Sequence, residues 1–176
     1  MKNKIKVNKL TKNPLFVNFL NWQGDKYSVE KMFNTLLLNF KESENKKIVL
    51  KQLTNINDKY LQNLSNFQKI FKKYILQTIH SQCISKDFVA WMDNAFKYIE
   101  ERISIYAKNE SRSISIKNAE GCWFEGIIIY NFILTFNYFG VNIIKLCPVC
   151  SNFFSHKGKY AKYCNDTCKT LGMVKK

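Results

Sequence analysis

Residues 126–144 read GIIIYNFILTFNYFGVNII, with no charged side chain from Gly126 to Ile144. How this stretch is read decides the fold. By length alone it could cross a bilayer. Three features place it inside a folded domain instead. Asn131, Asn137 and Asn142 would each carry an amide into hydrocarbon, where an unsatisfied polar group is costly. Gly140 reads as a helix C-terminus, dividing the stretch into a helix of about fifteen residues and a short strand. A cysteine cluster follows at once, beginning at Cys147. The expected element is a buried central helix, and membrane association through this segment is the disfavoured alternative.

Working outward toward the C-terminus, Cys147-Pro148-Val149-Cys150 is followed after thirteen residues by Cys164-Asn165-Asp166-Thr167-Cys168. A Cys-x-x-Cys bend turns two sulfurs to one side, and Pro148 stiffens it. If Asn165 or Asp166 starts a helix, Cys164 lies just before it and Cys168 on its first turn, so both thiols face the same way. Four cysteines so spaced suit one tetrahedral, structural Zn2+, with iron the rival metal. The metal ligands expected are therefore Cys147, Cys150, Cys164 and Cys168. His156 is expected to be a neighbouring or surface residue, because four sulfurs already complete the set. Cys83 and Cys122 lack a close partner and read as small buried apolar side chains.

The same segment resembles a treble-clef zinc knuckle, a metal-binding hairpin followed by a helix. The resemblance rests on Cys147-Pro148-x-Cys150, Phe153-Phe154 and Tyr163-Cys164-x-x-x-Cys168. It implies that Phe153 and Phe154 lie on the hairpin, one of them behind the metal, and that Tyr163 packs just before the helix. Similar segments end many bacterial and phage proteins. A helical region ahead of a terminal knuckle, with Leu15-Phe16-Val17-Asn18-Phe19 near its start, also resembles the CGNR zinc-finger proteins. These carry an ABATE domain and are regarded as stress-linked transcription regulators. Here Cys168 is followed by Lys169-Thr170-Leu171 where that family usually has Gly-Asn-Arg.

On the N-terminal side, helices dominate. Leu15, Phe16, Phe19, Leu20 and Trp22 form an apolar cluster ended by the turn signal Gln23-Gly24-Asp25. Ser28 can cap a helix to about Phe40, with Val29, Met32, Phe33, Leu36 and Leu37 inward. Lys41–Lys46 reads as a polar connection. The strongest helical pattern runs from Lys47 to about Cys83, with Val49, Leu53, Ile56, Tyr60, Leu64, Phe67, Phe71 and Tyr74 in steps of three and four. The polar turn residues of Asn55-Ile56-Asn57-Asp58 can split it, so two helices are expected there. Their packing is expected within one chain rather than as a coiled-coil dimer. Ser85 or Asp87 can cap a further helix bearing Phe88, Trp91, Met92, Ala95, Phe96, Ile99 and Ile103. Asn109–Ser113 reads as a polar linker, with a short strand at Ser113–Ile116. The fold class expected is mainly α: a basic mobile N-terminus at 1–14, a helical domain at 15–144 and a zinc knuckle at 145–176.

The 176 residues are 46% hydrophobic, enough to build a core. The formal charge is +15, partly clustered at Lys2, Lys4, Lys6, Lys9 and Lys12 and at seven lysines after Ile144. Four metal-bound thiolates with one Zn2+ would lower it to about +13. A balance this basic favours anionic partners. No secretory signal is evident, and the thiols suit a reducing compartment, so a cytoplasmic location is expected. An all-cysteine site leaves no open position for water. Without a phosphate-binding Gly-rich loop, a nucleophile elbow or a His-Glu-x-x-His motif, no enzyme and no small-molecule substrate are expected. Glu100 and Glu101 do not form an acid/base pair, and Glu120 and Glu125 are expected as caps or ion-pair partners before the apolar helix. The expected function is a nucleic-acid-binding regulator, with DNA favoured over RNA. Its contacts would come from Lys157, Lys159, Tyr160, Lys162 and Lys169. The alternative is an adaptor for a protein partner, in which the knuckle is purely structural.

Overall fold

The computed structural model describes residues 14–39, 43–96, 99–106, 109–116, 123–156 and 161–174. Among them the chain is mainly helical and ends in a small hairpin-and-helix module, as expected. The segment Leu15–Leu20 forms α1, with Phe16, Val17, Phe19 and Leu20 all buried. Its exposed carbonyl end is not left to solvent. The buried Gln68 amide donates through Nε2 to Phe19 O at 2.6 Å and to Trp22 O at 2.7 Å. That side chain supplies the acceptors at the end of α1 with partners inside the core, where an unmet carbonyl would be costly.

The next helix, α2 (Lys26–Asn39), starts before Ser28. Asp25 caps it instead, its Oδ1 accepting from Ser28 N at 2.7 Å. Asp25 outranks a residue already inside the first turn because its carboxylate reaches forward to the free N–H of Ser28. Phe40 and residues 41–42 lie outside the described residues. The expected polar connection there is shortened, because α3 (Ser43–Thr54) begins within it. The break at Asn55–Asp58 is real. Asn57 Oδ1 accepts from Tyr60 N at 2.9 Å and starts α4 (Asp58–Ser81), which Gln82 closes in the left-handed region at φ 57°. The repeating apolar positions of α3 and α4 turn into the intramolecular core, with Val49, Ile56, Leu64 and Phe71 buried.

Ser85 caps α5 (Lys86–Phe96), its Oγ accepting from Phe88 N at 3.2 Å. The expectation that this helix continues through Ile99 and Ile103 is wrong. Residues Ile99–Tyr106 form β1 and pair antiparallel with β2 (Asn109–Ile116), Ile99 opposite Ile116 and Tyr106 opposite Asn109. The supposed linker Asn109–Ser113 is thus part of a strand, and the strand at Ser113–Ile116 is its second half. Alternation in Ser113-Ile114-Ser115-Ile116 requires a partner strand, and Ile103-Ser104-Ile105 repeats that alternation next door. Pairing therefore overrides the three-and-four spacing that Ile99 and Ile103 share with the helix before them.

The uncharged stretch forms α6 (Trp123–Phe139), stopped by Gly140 at φ +72° with its N–H on Phe136 O. Trp123 through Tyr130 and Phe132 are buried, because α1, α5 and β1 all pack around this helix. A helix that is apolar all round belongs in a core. No helix of the described residues is long and apolar enough to cross a membrane. Asn131 is put to use, its Oδ1 accepting from Phe16 N at 3.3 Å. The core is aromatic: the Phe132 ring lies 5.5–5.7 Å from those of Phe16, Phe71 and Phe88, and Phe33 lies 4.6 Å from Phe124. Glu125, expected before the helix, sits within its first turn and is buried. Burial pushes its carboxyl up to about 7, against the pull of its own backbone N–H.

Candidate metal centre

After Gly140 a 3-10 turn, Val141–Ile143, leads into β3 (Ile144–Leu146), which pairs antiparallel with β4 (Phe153–Ser155). The loop between these strands carries the first two cysteines. Cys147 N donates to Asn152 O and Ser151 N to Cys147 O, both at 2.9 Å. The reversal puts Ser151 at φ 56°. This left-handed conformation costs a non-glycine residue about 1–2 kcal/mol, so the rest of the bend must hold it there.

The second pair is built as its spacing predicts. Asn165 Oδ1 accepts from Cys168 N at 2.8 Å and starts α7 (Asp166–Val174), leaving Cys164 just before the helix and Cys168 on its first turn. Lys145 Nζ, reaching from β3, donates to Ala161 O at 2.9 Å and ties the two halves of the module together. Tyr163 lies against α7 at Gly172, where a Cβ would run into its ring. A side chain on that face of α7 would displace the ring from its seat.

The four sulfurs of Cys147, Cys150, Cys164 and Cys168 all lie within 4.8 Å of one another. Cys164 Sγ is 3.5 Å from both Cys150 Sγ and Cys168 Sγ. In a tetrahedron with metal–sulfur bonds of about 2.3 Å, the sulfurs stand about 3.8 Å apart. The two closest separations fall just below that value and all lie within 4.8 Å, so donor type, number and spacing all fit one metal ion. Their electrostatics point the same way. Burial opposes ionisation of Cys147, but backbone N–H groups of Cys150, Cys164 and Val149 and the Cys150 thiol bring it down to about 6. Burial, then the neighbouring thiols, push Cys164 upward, and burial is the main cause of the rise at Cys168. Four thiolates cannot crowd together without a cation, and a bound dication removes that obstacle while releasing their protons.

The module has two kinds of packing. Phe154 joins Cys147 and Cys168 in a small cluster behind the sulfurs, with Val149, Ala161 and Tyr163 at its margin. Phe153 points the other way and joins the main core with Ile143 and Ile144. Asn21, at the end of α1, completes the joint. Its Nδ2 donates to Phe153 O at 2.7 Å and its Oδ1 accepts from Phe153 N at 2.8 Å, so one amide imitates a neighbouring strand. Nothing in the spacing of Asn21 or Gln68 marked these roles, since each depends on a partner far away in sequence.

Of the other expected site residues, Lys162 and Lys169 are exposed on the module, and Lys162 Nζ lies 5.9 Å from the centroid of the Tyr163 ring. Lys157, Lys159 and Tyr160 lie outside the described residues, as do Glu120 and Cys122. His156 is exposed and stands outside the sulfur cluster. Cys83 is exposed, not buried. It follows the αL residue that ends α4, where the chain turns outward, so apolar character alone could not draw it into the core.

Fold and site together define a mainly α protein that carries a C-terminal candidate metal-binding module. No protein-family model, no curated protein and no solved structure matches the chain. The resemblance to CGNR proteins with an ABATE domain therefore gains no support, and the clustered cysteines speak for a metal-binding module alone.

Proposed function

We propose that Cys147, Cys150, Cys164 and Cys168 bind one structural Zn2+ in a treble-clef knuckle, and that the protein is a non-catalytic nucleic-acid-associated regulator. The observation that carries the metal assignment is the closed set of four sulfurs at tetrahedral spacing. Four thiolates leave no coordination position for water, so the metal shapes the module instead of activating a substrate. Zinc is preferred to iron because a closed set of four cysteines carried by a hairpin and a helix is the usual form of a structural zinc site. Metal analysis of protein purified from unsupplemented medium should find one zinc per chain. One iron per chain, with visible thiolate-to-iron absorption, would replace that assignment.

The nucleic-acid reading is supported by the formal charge of +15 and by exposed lysines on a rigid module. Lys162 and Lys169, with Lys157 and Lys159, would contact phosphates and confer salt-sensitive, weakly selective affinity, with DNA preferred. Anisotropy of a labelled mixed-sequence duplex, titrated with zinc-loaded protein at several salt concentrations, tests it. Binding that weakens steeply with salt is expected; no binding at 50 mM salt would end this reading.

A second reading, an adaptor for a protein partner, has one observation in its favour. Leu171, Met173 and Val174 on α7 are all exposed. Recovery of one stoichiometric protein partner that survives nuclease treatment, and is lost on Leu171→Ser with Met173→Ser, would favour it.

A further inference from the structure

A basic groove lies on the helical body, between the second half of α4 and the start of α5. Lys69, Lys72, Lys73 and His80 line it, together with Leu76 and Asp87. Asp87 is the one acidic residue among the described residues that line it. The groove is the solvent side of α4, whose opposite face buries Leu64, Gln68, Phe71 and Ile75. The lysines are thus set in a row on a helix that the core holds rigid. The ion pairs Lys26–Glu30 and Lys47–Glu44 lie elsewhere, and none of the three groove lysines is ion-paired among the described residues. Lys72 is half-buried against the groove wall, and burial lowers its pKa. An unpaired ammonium in that setting gains from an anion that enters the groove.

We propose that this α4–α5 groove is a second nucleic-acid contact, which grips the phosphate backbone of a duplex independently of sequence. The inference rests on the nucleic-acid reading above and adds to it a contact surface on the body, separate from the knuckle lysines. From Lys69 to His80 the helix rises about 16 Å, a length that spans about two or three consecutive phosphates of one strand. Lysine behaves as a point charge toward phosphate and does not read base edges. Among the described residues that line the groove there is no Phe, Tyr or Trp, and the single ring of His80 makes no continuous platform for unpaired bases, which favours a duplex over a single strand.

The test uses the full-length, metal-loaded chain and a labelled mixed-sequence duplex between 50 and 200 mM salt. The groove variant carries Lys69→Gln, Lys72→Gln and Lys73→Gln. Its control carries Lys31→Gln, Lys46→Gln and Lys51→Gln at exposed positions outside the groove, with the same change in net charge. A third variant carries Lys→Arg at the three groove positions. Losing three phosphate contacts should flatten the slope of log affinity against log salt by about 2.7 and weaken binding at least about tenfold at 100 mM salt. The control should change much less, and the Arg variant should restore binding. Circular dichroism must show wild-type helix content in all three.

Groove and control variants weakened equally would mean a general charge effect and would overturn the groove. Wild-type affinity in the groove variant would overturn it too, while leaving the nucleic-acid reading intact. Failure of the wild-type protein to bind duplex at 50 mM salt would overturn both. Groove-dependent binding to phosphatidylserine vesicles, with duplex affinity unchanged, would reassign the groove to a membrane surface and overturn this proposal.

Discussion

The helical body and the C-terminal module are held together by different means. The body buries an aromatic network in which Phe132 alone touches the rings of Phe16, Phe71, Phe88 and Phe136, drawn from α1, α4, α5 and α6. Among the described residues the module's own cluster is Cys147, Phe154 and Cys168 with a few half-buried neighbours. Apolar burial scales with area, so the first can sustain a fold and the second cannot. In the module, four clustered thiols lie where the body has apolar side chains. The module also borrows from the body, through Phe153 and the two hydrogen bonds of Asn21.

The largest expected effect breaks the module and spares the body. A chelator, or Cys164→Ser, should release the metal and abolish amide-exchange protection across β3, β4 and α7, while α4 and α6 stay protected. Structural zinc contributes on the order of 10 kcal/mol to such modules. Retained protection in β4 and α7 after metal loss would show that packing suffices there.

The reverse experiment strikes the body. Phe132→Ala should cost about 3–5 kcal/mol in denaturant unfolding. One metal per chain should still be retained under native conditions. A loss below about 1 kcal/mol would mean that the aromatic network is not the source of the body's stability.

Glu125 offers a graded version through pH. Its carboxyl titrates near 4.5 in the unfolded chain and near 7 in the folded one. Below about pH 4.5 both states are protonated and nothing is lost. Between 4.5 and 7 the unfolded state releases its proton first, so stability falls as pH rises. Above 7 the deficit levels off, on the order of 3 kcal/mol at most. Glu125→Gln should therefore stabilise the body most at pH 8 and scarcely at pH 4.5. Parallel stability curves for variant and wild type across that window would refute the assignment.

Asn21→Ala probes the joint between the regions and should have the smallest effect, about 1–2 kcal/mol. Faster exchange of the Phe153 amide is expected, with the metal retained. An unchanged Phe153 amide would mean that the strand edge holds without Asn21.

Local chemistry made much of this legible before any coordinates. Four cysteines in two close pairs specify a metal site, because the donor atoms and their spacing are nearly the whole of the geometry. Asn165 and Ser85 announce helix starts, since a short polar side chain meets free N–H groups within its own turn. Gly140 marks a helix end for a similar local reason. The uncharged stretch before it could be assigned to a core because its amides oppose a bilayer. Tertiary structure alone decided the rest. Whether Ile99 and Ile103 continued a helix or paired as a strand depended on residues 109–116. The burial of Gln68, the pairing of Asn21 with Phe153 and the exposure of Cys83 depended on where remote elements came to rest. Periodicity records which face of a segment is apolar, but not what lies against it, and hydrogen bonds across 49 or 132 residues leave no local trace.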